Sequence, residues 1–182
     1  MSKKVRVAIL CGYNGINFFG SQKNDNVRSV EAELEKGLFA MKMISDFNFG
    51  DLKKIGWGRA TRTDKRVHAL QNTFSAKVLV AKRPYVTVRD ENGKVLEYRN
   101  NVGLEEHLEE LRTELNAILP NDVKVFSMFV VSNRFNAKNC TSNREYSYFL
   151  PTFMLTPITQ LYLATPPRQV TDEEKKVEES KQ

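Results

Sequence analysis

Val5, Val7, Ile9 and Cys11 are separated by single intervening residues, and this period of two predicts a strand over residues 4–12. Gly12, Asn14, Gly15 and Gly20 then mark a loop, with Phe18 and Phe19 as apolar anchors inside it. From Ser29 the period changes. Val30, Leu34, Leu38 and Met41 share one helical face, while Glu31, Glu33, Glu35 and Lys36 fall mostly on the other. Ser29 is placed to cap this helix, and Glu31 sits in its first turn, where the helix dipole favours an anion. A second helix is written by Leu104, Leu108, Leu111, Leu115 and Ile118, and Pro120-Asn121 stops it.

Between the helices, Lys53 to Trp57 lead into a polar basic loop from Gly58 to about Asn72. Thr73 to Val80 reads as a strand with Phe74, Ala76, Val78 and Val80 on one face. Tyr85–Arg89 and Lys94–Tyr98 flank Asp90-Glu91-Asn92-Gly93, the pattern of a hairpin. After the second helix, Val123–Val131 and Glu145–Leu150 again read as strands. The order strand, helix, strands, helix, strands predicts an α+β fold: an antiparallel or mixed sheet with helices on one face. From Pro166 apolar residues nearly vanish, so the expected division is a folded region of residues 1–165 and an exposed charged tail or linker of 166–182.

Charge narrows the picture. The chain has 182 residues and a net charge of +6, and residues 1–165 alone hold +7. A polyanionic partner is permitted by that surplus and not required by it. Cys11 and Cys140 cannot build a disulfide framework and read as reduced thiols of an intracellular protein. A four-ligand zinc site would need both cysteines and both histidines at unsuitable spacing. No stretch approaches the roughly 20 apolar residues of a membrane span. The opening MSKKVRVAIL alternates as a strand does and lacks a small-residue cleavage site.

The candidate chemistry lies in Gly56–Asn72, GWGRATRTDKRVHALQN. Residues 51–70 carry six basic and two acidic side chains. Arg59, Arg62, Lys65 and Arg66 surround Asp64. A carboxylate among cations stays ionised and suits a nucleophile or an electrostatic stabiliser. The cations suit backbone phosphates. A solvated basic turn with an incidental Asp is the plain alternative.

The wording of four segments goes further. RTDKRVHALQN resembles the active-site motif of the TruA-like tRNA pseudouridine synthases, whose invariant acid is the Asp of R-T-D. GYNGINFFGSQ resembles that family's G-Y-x-G-x-x-F-x-G-x-Q loop, SVEAELEKGL its first helix, and RFNAKNCTSNREYSYFLPTF its F-x-A…R-x-Y-x-Y strand. L-P-T-F, and the Lys after R-T-D, are similar to the eukaryotic branch. Two positions depart from the pattern. Arg66 stands where the family usually has Gly, which implies either a compatible backbone or a changed loop. Thr61 stands where Gly or Ser is usual.

The resemblance implies a ferredoxin/RRM-like half-domain and isomerisation of uridine to pseudouridine in tRNA or another structured RNA. No metal or other cofactor is implied. It implies Asp64 at the ribose C1′ or 2′ position, as nucleophile or base, and Arg62 paired with Asp64 and holding the strand open around an extruded nucleotide. It implies Tyr146 against the target base. Arg59, Lys65 and Arg66 are candidate phosphate contacts, and Arg144 is a candidate either for a phosphate contact or for a structural ion pair. His68 matches the family's V-H-A and reads as loop-ordering more readily than as a base, although its ordinary pKa near 6.5 suits one. By period two Tyr148 shares a face with Tyr146 and reads as a core aromatic. Trp57, placed beside Ile55 in a strand, reads as packed in the core more readily than as a base-stacking platform, and His107 reads as solvated. Lys3, Lys4, Lys53 and Lys54 are weaker RNA candidates.

Only the N-terminal half of the family's two-part catalytic domain is matched. The expectation is a piece of a longer chain whose C-terminal half is an absent partner, and which alone has little or no activity because water exclusion and preorganisation suffer. A non-catalytic RNA-binding module is the competing class. The expected location is the nucleus or cytoplasm, or the mitochondrion. The oligomeric state and the modified uridine are not written in this sequence.

Overall fold

In the computed structural model, residues 3–80, 85–89, 95–99 and 101–155 are described. The chain divides into two units, residues 1–142 and 143–182. The first contains β1 (Lys3–Tyr13), α1 (Val30–Ala40), β2 (Gly58–Arg59), β3 (Ala69–Val80), β4 (Tyr85–Arg89), β5 (Val95–Arg99), α2 (Asn101–Ile118) and β6 (Val123–Val130). The second contains a short 3-10 turn, Thr152–Leu155.

The main sheet has the order β2-β3-β1-β6 and is antiparallel throughout, which settles the choice between antiparallel and mixed. Its register stacks the apolar alternates. Val5 lies opposite Val78, Val7 opposite Ala76, and Ile9 opposite Phe74. All six are buried. The β1–β6 ladder slips between Leu10 and Cys11, so that Leu10 faces Ser127 while Cys11 faces Val125. The bulge leaves Phe126 as the extra residue, and burial in β6 therefore passes from Val123 and Val125 to Met128. β4 and β5 pair as the expected hairpin, while its turn, residues 90–94, lies outside the described residues. So does the tail from 166 onward.

Ser29 caps α1 as expected, its side chain accepting from the Ala32 amide. Val30, Leu34 and Leu38 face the core. At Gly37 a Cβ would lie 2.7 Å from a Leu115 methyl, so the missing side chain admits the close approach of α2. In α2, Leu108 and Leu115 are fully buried, but the last anchor is Leu119 instead of Ile118, which is 49% exposed. A 3.6-residue turn carries the stripe one residue further by that point. Asn116 fastens α2 to β6, accepting from the Val125 amide and donating to its carbonyl, both at 2.8 Å.

Three expectations are corrected. Glu31 and Glu35 are 0% and 2% exposed, so the charged side of α1 is largely buried and only Lys36 of its four charged residues is exposed. His107 is half-buried beside Glu110 and not simply solvated. Residues 52–55, which precede Trp57, form a 3-10 turn and not a strand.

Candidate active site

Residues 60–68 connect β2 to β3, and their backbone is pinned at several points. The ladder ends where the Ala60 amide donates to the Thr73 carbonyl at 2.8 Å. Thr63 is held next. Its amide donates to Ser21 Oγ at 2.9 Å, its carbonyl accepts from the Ser21 amide at 3.0 Å, and its hydroxyl meets the Tyr13 phenol at 2.8 Å. Asn72 joins the same cluster. Its side-chain nitrogen donates to Tyr13 Oη at 3.2 Å and to the Thr61 carbonyl at 3.1 Å. Tyr13, Ser21 and Asn72 are all buried. Burial raises the Tyr13 pKa above its ordinary value of 10.0, against the hydrogen bonds from Thr63 and Asn72, so the phenol stays protonated at neutral pH.

Beyond Thr63 the chain turns, with the Val67 amide donating to the Asp64 carbonyl at 3.2 Å. The Arg66 amide donates to the Phe18 carbonyl at 3.1 Å. Arg66 has φ of 65°, in the left-handed region. The loop thus has the backbone that Gly would favour, at a cost of about 1 kcal/mol for an L-residue. The loop after β1 fits beneath it only because two residues lack a Cβ. At Gly15 that atom would lie 2.0 Å from the Val67 carbonyl oxygen, and at Gly20, where φ is 117°, 2.9 Å from that of Thr63. The motif glycines are therefore packing requirements between the 15–20 loop and the 63–67 loop.

On this pinned backbone Asp64 is exposed. Among the described residues no hydrogen bond or ion pair reaches its carboxylate. The expected Arg62–Asp64 pair is not formed. Arg62, Lys65, Arg66 and His68 are also exposed on the same short stretch. The Lys65 ammonium lies over the half-exposed ring of Phe19, 4.4 Å from its centre.

Arg59 turns the other way. Its guanidinium binds the buried Glu31 carboxylate, which also accepts from the Trp57 indole at 3.0 Å and the Lys23 amide at 2.9 Å. Trp57 packs on Phe74, with ring centres 5.5 Å apart, in agreement with a core role. Glu35 forms a second buried pair with Lys23 and accepts from the Gly50 amide at 2.9 Å. Arg6, 7% exposed, donates to the carbonyls of Phe135 at 2.6 Å and Gly56 at 3.2 Å, which docks the F-x-A segment on the sheet. Sequence reasoning did not single out Tyr13, Ser21, Asn72 or Arg6, and it gave Glu31 only a place in the first turn of α1. The contacts of Tyr13 span 50 and 59 residues, beyond any local spacing.

Arg144 and Tyr146 belong to the second unit. The expected strand at 145–150 is absent, and residues 142–151 form no regular element. Tyr146 is 72% and Tyr148 86% exposed, so Tyr148 is not a core aromatic. Alternating residues become a strand only when a neighbour offers hydrogen bonds and a face to cover, and no described strand pairs with this segment. Among the described residues no group of three His, Cys, Asp or Glu side chains is arranged to hold a metal ion, and no helix is long and apolar enough to cross a membrane.

No family model matches the chain. Individual proteins do. It is 31% identical over 156 residues to tRNA pseudouridine synthase 1 of Candida albicans, covering 85% of this chain and 21% of that protein. It is 30% identical over 156 residues to tRNA pseudouridine synthase 2 of Schizosaccharomyces pombe, covering 86% and 30%. It is 31% identical over 147 residues to the tRNA pseudouridine(27/28) synthase of Saccharomyces cerevisiae, covering 81% and 32%. The chain thus spans between about a fifth and a third of the length of these relatives.

Proposed function

We propose that this chain, a homologue of the eukaryotic TruA-like tRNA pseudouridine synthases over about 85% of its length, carries the catalytic carboxylate of an enzyme that isomerises uridine in tRNA. In that reaction the bond from uracil N1 to ribose C1′ breaks, C5 bonds to C1′, the C5 proton leaves and N1 takes up a proton. No electron is gained or lost overall, so the residues must supply positioning and charge.

One observation carries the reading. Asp64 combines a fixed backbone with a carboxylate that no side chain of the described protein occupies. A structural carboxylate would be paired, as Glu31 and Glu35 are. Asp64 would act at C1′ or 2′ of an extruded nucleotide. Arg62, Lys65 and Arg66, exposed beside it, would take the flanking phosphates. Tyr146 would lie against the base and Arg144 near phosphate, on the motif resemblance. His68 would order the loop. Arg59 supports the reading less, since its guanidinium is bound to Glu31. The two cysteines, unpaired, suit a reducing compartment, so the nucleus, cytoplasm or mitochondrial matrix is the proposed location.

The test is release of tritium from 5-tritiated uridine in tRNA, measured with the 182-residue chain and with the full product of its gene. Release that Asp64→Ala abolishes supports the enzyme. Salt-sensitive tRNA binding without release by either protein supports a non-catalytic RNA-binding module instead.

A further inference from the structure

We infer that Tyr13 is a positioning residue for Asp64, acting through the hydroxyl of Thr63; this rests on the reading that Asp64 carries the chemistry. Tyr13 ends β1, is 5% exposed, and makes its one short side-chain contact with the loop at Thr63 Oγ1, 2.8 Å away. Thr63 is the residue immediately before Asp64.

The phenol is itself oriented. Asn72 Oδ1 accepts from the Thr73 amide at 2.9 Å, and its nitrogen faces the Thr61 carbonyl, so the amide cannot be turned over without losing both contacts. The remaining N–H of that group points at Tyr13 Oη. Asn72, Tyr13 and Thr63 therefore form a chain of polar side chains that joins β3, β1 and the loop. Ser21 holds the Thr63 backbone and Tyr13 holds its side chain. The two together fix the direction in which the chain enters Asp64. A buried phenol cannot touch RNA, and a protonated one cannot serve as a base. Its contribution must pass through the geometry of Thr63.

Core packing of the aromatic ring would explain burial but not the hydroxyl chain, and Tyr13→Phe separates the two. The full gene product is assayed for tritium release, and amide exchange is measured on the 182-residue chain. Tyr13→Phe and Thr63→Val are each expected to lower kcat about tenfold with KM changed less than about twofold, because a loop displaced by a fraction of an ångström still binds. The double variant should be no slower than either single one, and Thr63→Ser should restore the rate. Exchange at the Thr63 and Arg66 amides should quicken about tenfold while Val7 and Ala76 in the sheet keep their protection. Unchanged kcat in Tyr13→Phe, additive losses in the double variant, or unchanged exchange at Thr63 would each overturn the inference. If Asp64→Ala leaves tritium release intact, the reading of the site fails instead, and the exchange measurements still decide the clamp.

Discussion

Two groups of charged side chains border the connection from β2 to β3, and they are built in opposite ways. On the inner side, Glu31 and Glu35 are buried and fully engaged by Arg59, Trp57, Lys23 and the Gly50 amide. On the outer side, Asp64, Arg62, Lys65, Arg66 and His68 are exposed, and no ion pair joins them among the described residues. The inner group holds structure, because a buried carboxylate must be matched or the fold is destabilised. In the outer group the fold holds the backbone and gives the side chains no ionic partner among the described residues, with the Lys65 ammonium resting on the Phe19 ring. Proximity in sequence does not separate the groups. Arg59 and Arg62 are three residues apart and serve opposite sides.

The sharpest break between the groups is Asp64→Ala. Tritium release should fall about 10³-fold or more, as for loss of a reacting group, while the melting temperature stays within experimental error because the carboxylate has no partner among the described residues to lose. A large drop in melting temperature would move Asp64 to the structural group. Glu31→Gln should do the reverse. It leaves Arg59 without its countercharge and should cost about 3 kcal/mol in urea unfolding with an unchanged slope. A cost below about 0.5 kcal/mol, the scale of an ordinary surface change, would show that the inner pair supports nothing.

Arg66→Gly comes next. Relief of the left-handed backbone should stabilise the chain by about 1 kcal/mol, partly offset by the freer unfolded chain, whereas Arg66→Ala should bring no gain. Equal stability of the Gly and Ala variants would mean that the loop relaxes away from φ near 65°. The smallest effects belong to the outer cations. Arg62→Ala and Lys65→Ala should each lower the slope of log affinity for tRNA against log salt by about 0.7 to 1, without changing stability. Arg59→Ala should instead destabilise, and a pure slope change there would put Arg59 in the outer group.

Much of the frame was legible. The alternation in β1 and β3, the Ser29 cap and the leucine stripe of α2 are local patterns whose period is set by backbone geometry, and the structure has them. Arg66 was legible as a question, since the sequence placed a side chain where Gly is usual, and the φ of 65° answers it. The failures share a cause. Glu31 was legible only as a first-turn anion, because its partners Trp57 and Arg59 come 26 and 28 residues later. Residues 145–150 alternate well enough for a strand, but a strand is defined by a neighbour that the alternation cannot supply. Ile118 lost its place to Leu119 because a seven-residue count drifts against a helix of 3.6 residues per turn.

The sequence by itself determined β1, α1, β3, α2 and β6, the cationic stretch around Asp64 and the four ordered motifs that resemble one family. These depend on residue identity and short spacing. Tertiary structure alone decided which charges are spent inside and which remain outside. It also showed that Gly15 and Gly20 make room for the loop, and that Tyr13, Ser21 and Asn72 hold Thr63. Those outcomes depend on which distant residues share a few ångströms, and desolvation makes the match obligatory only once the chain has closed around them.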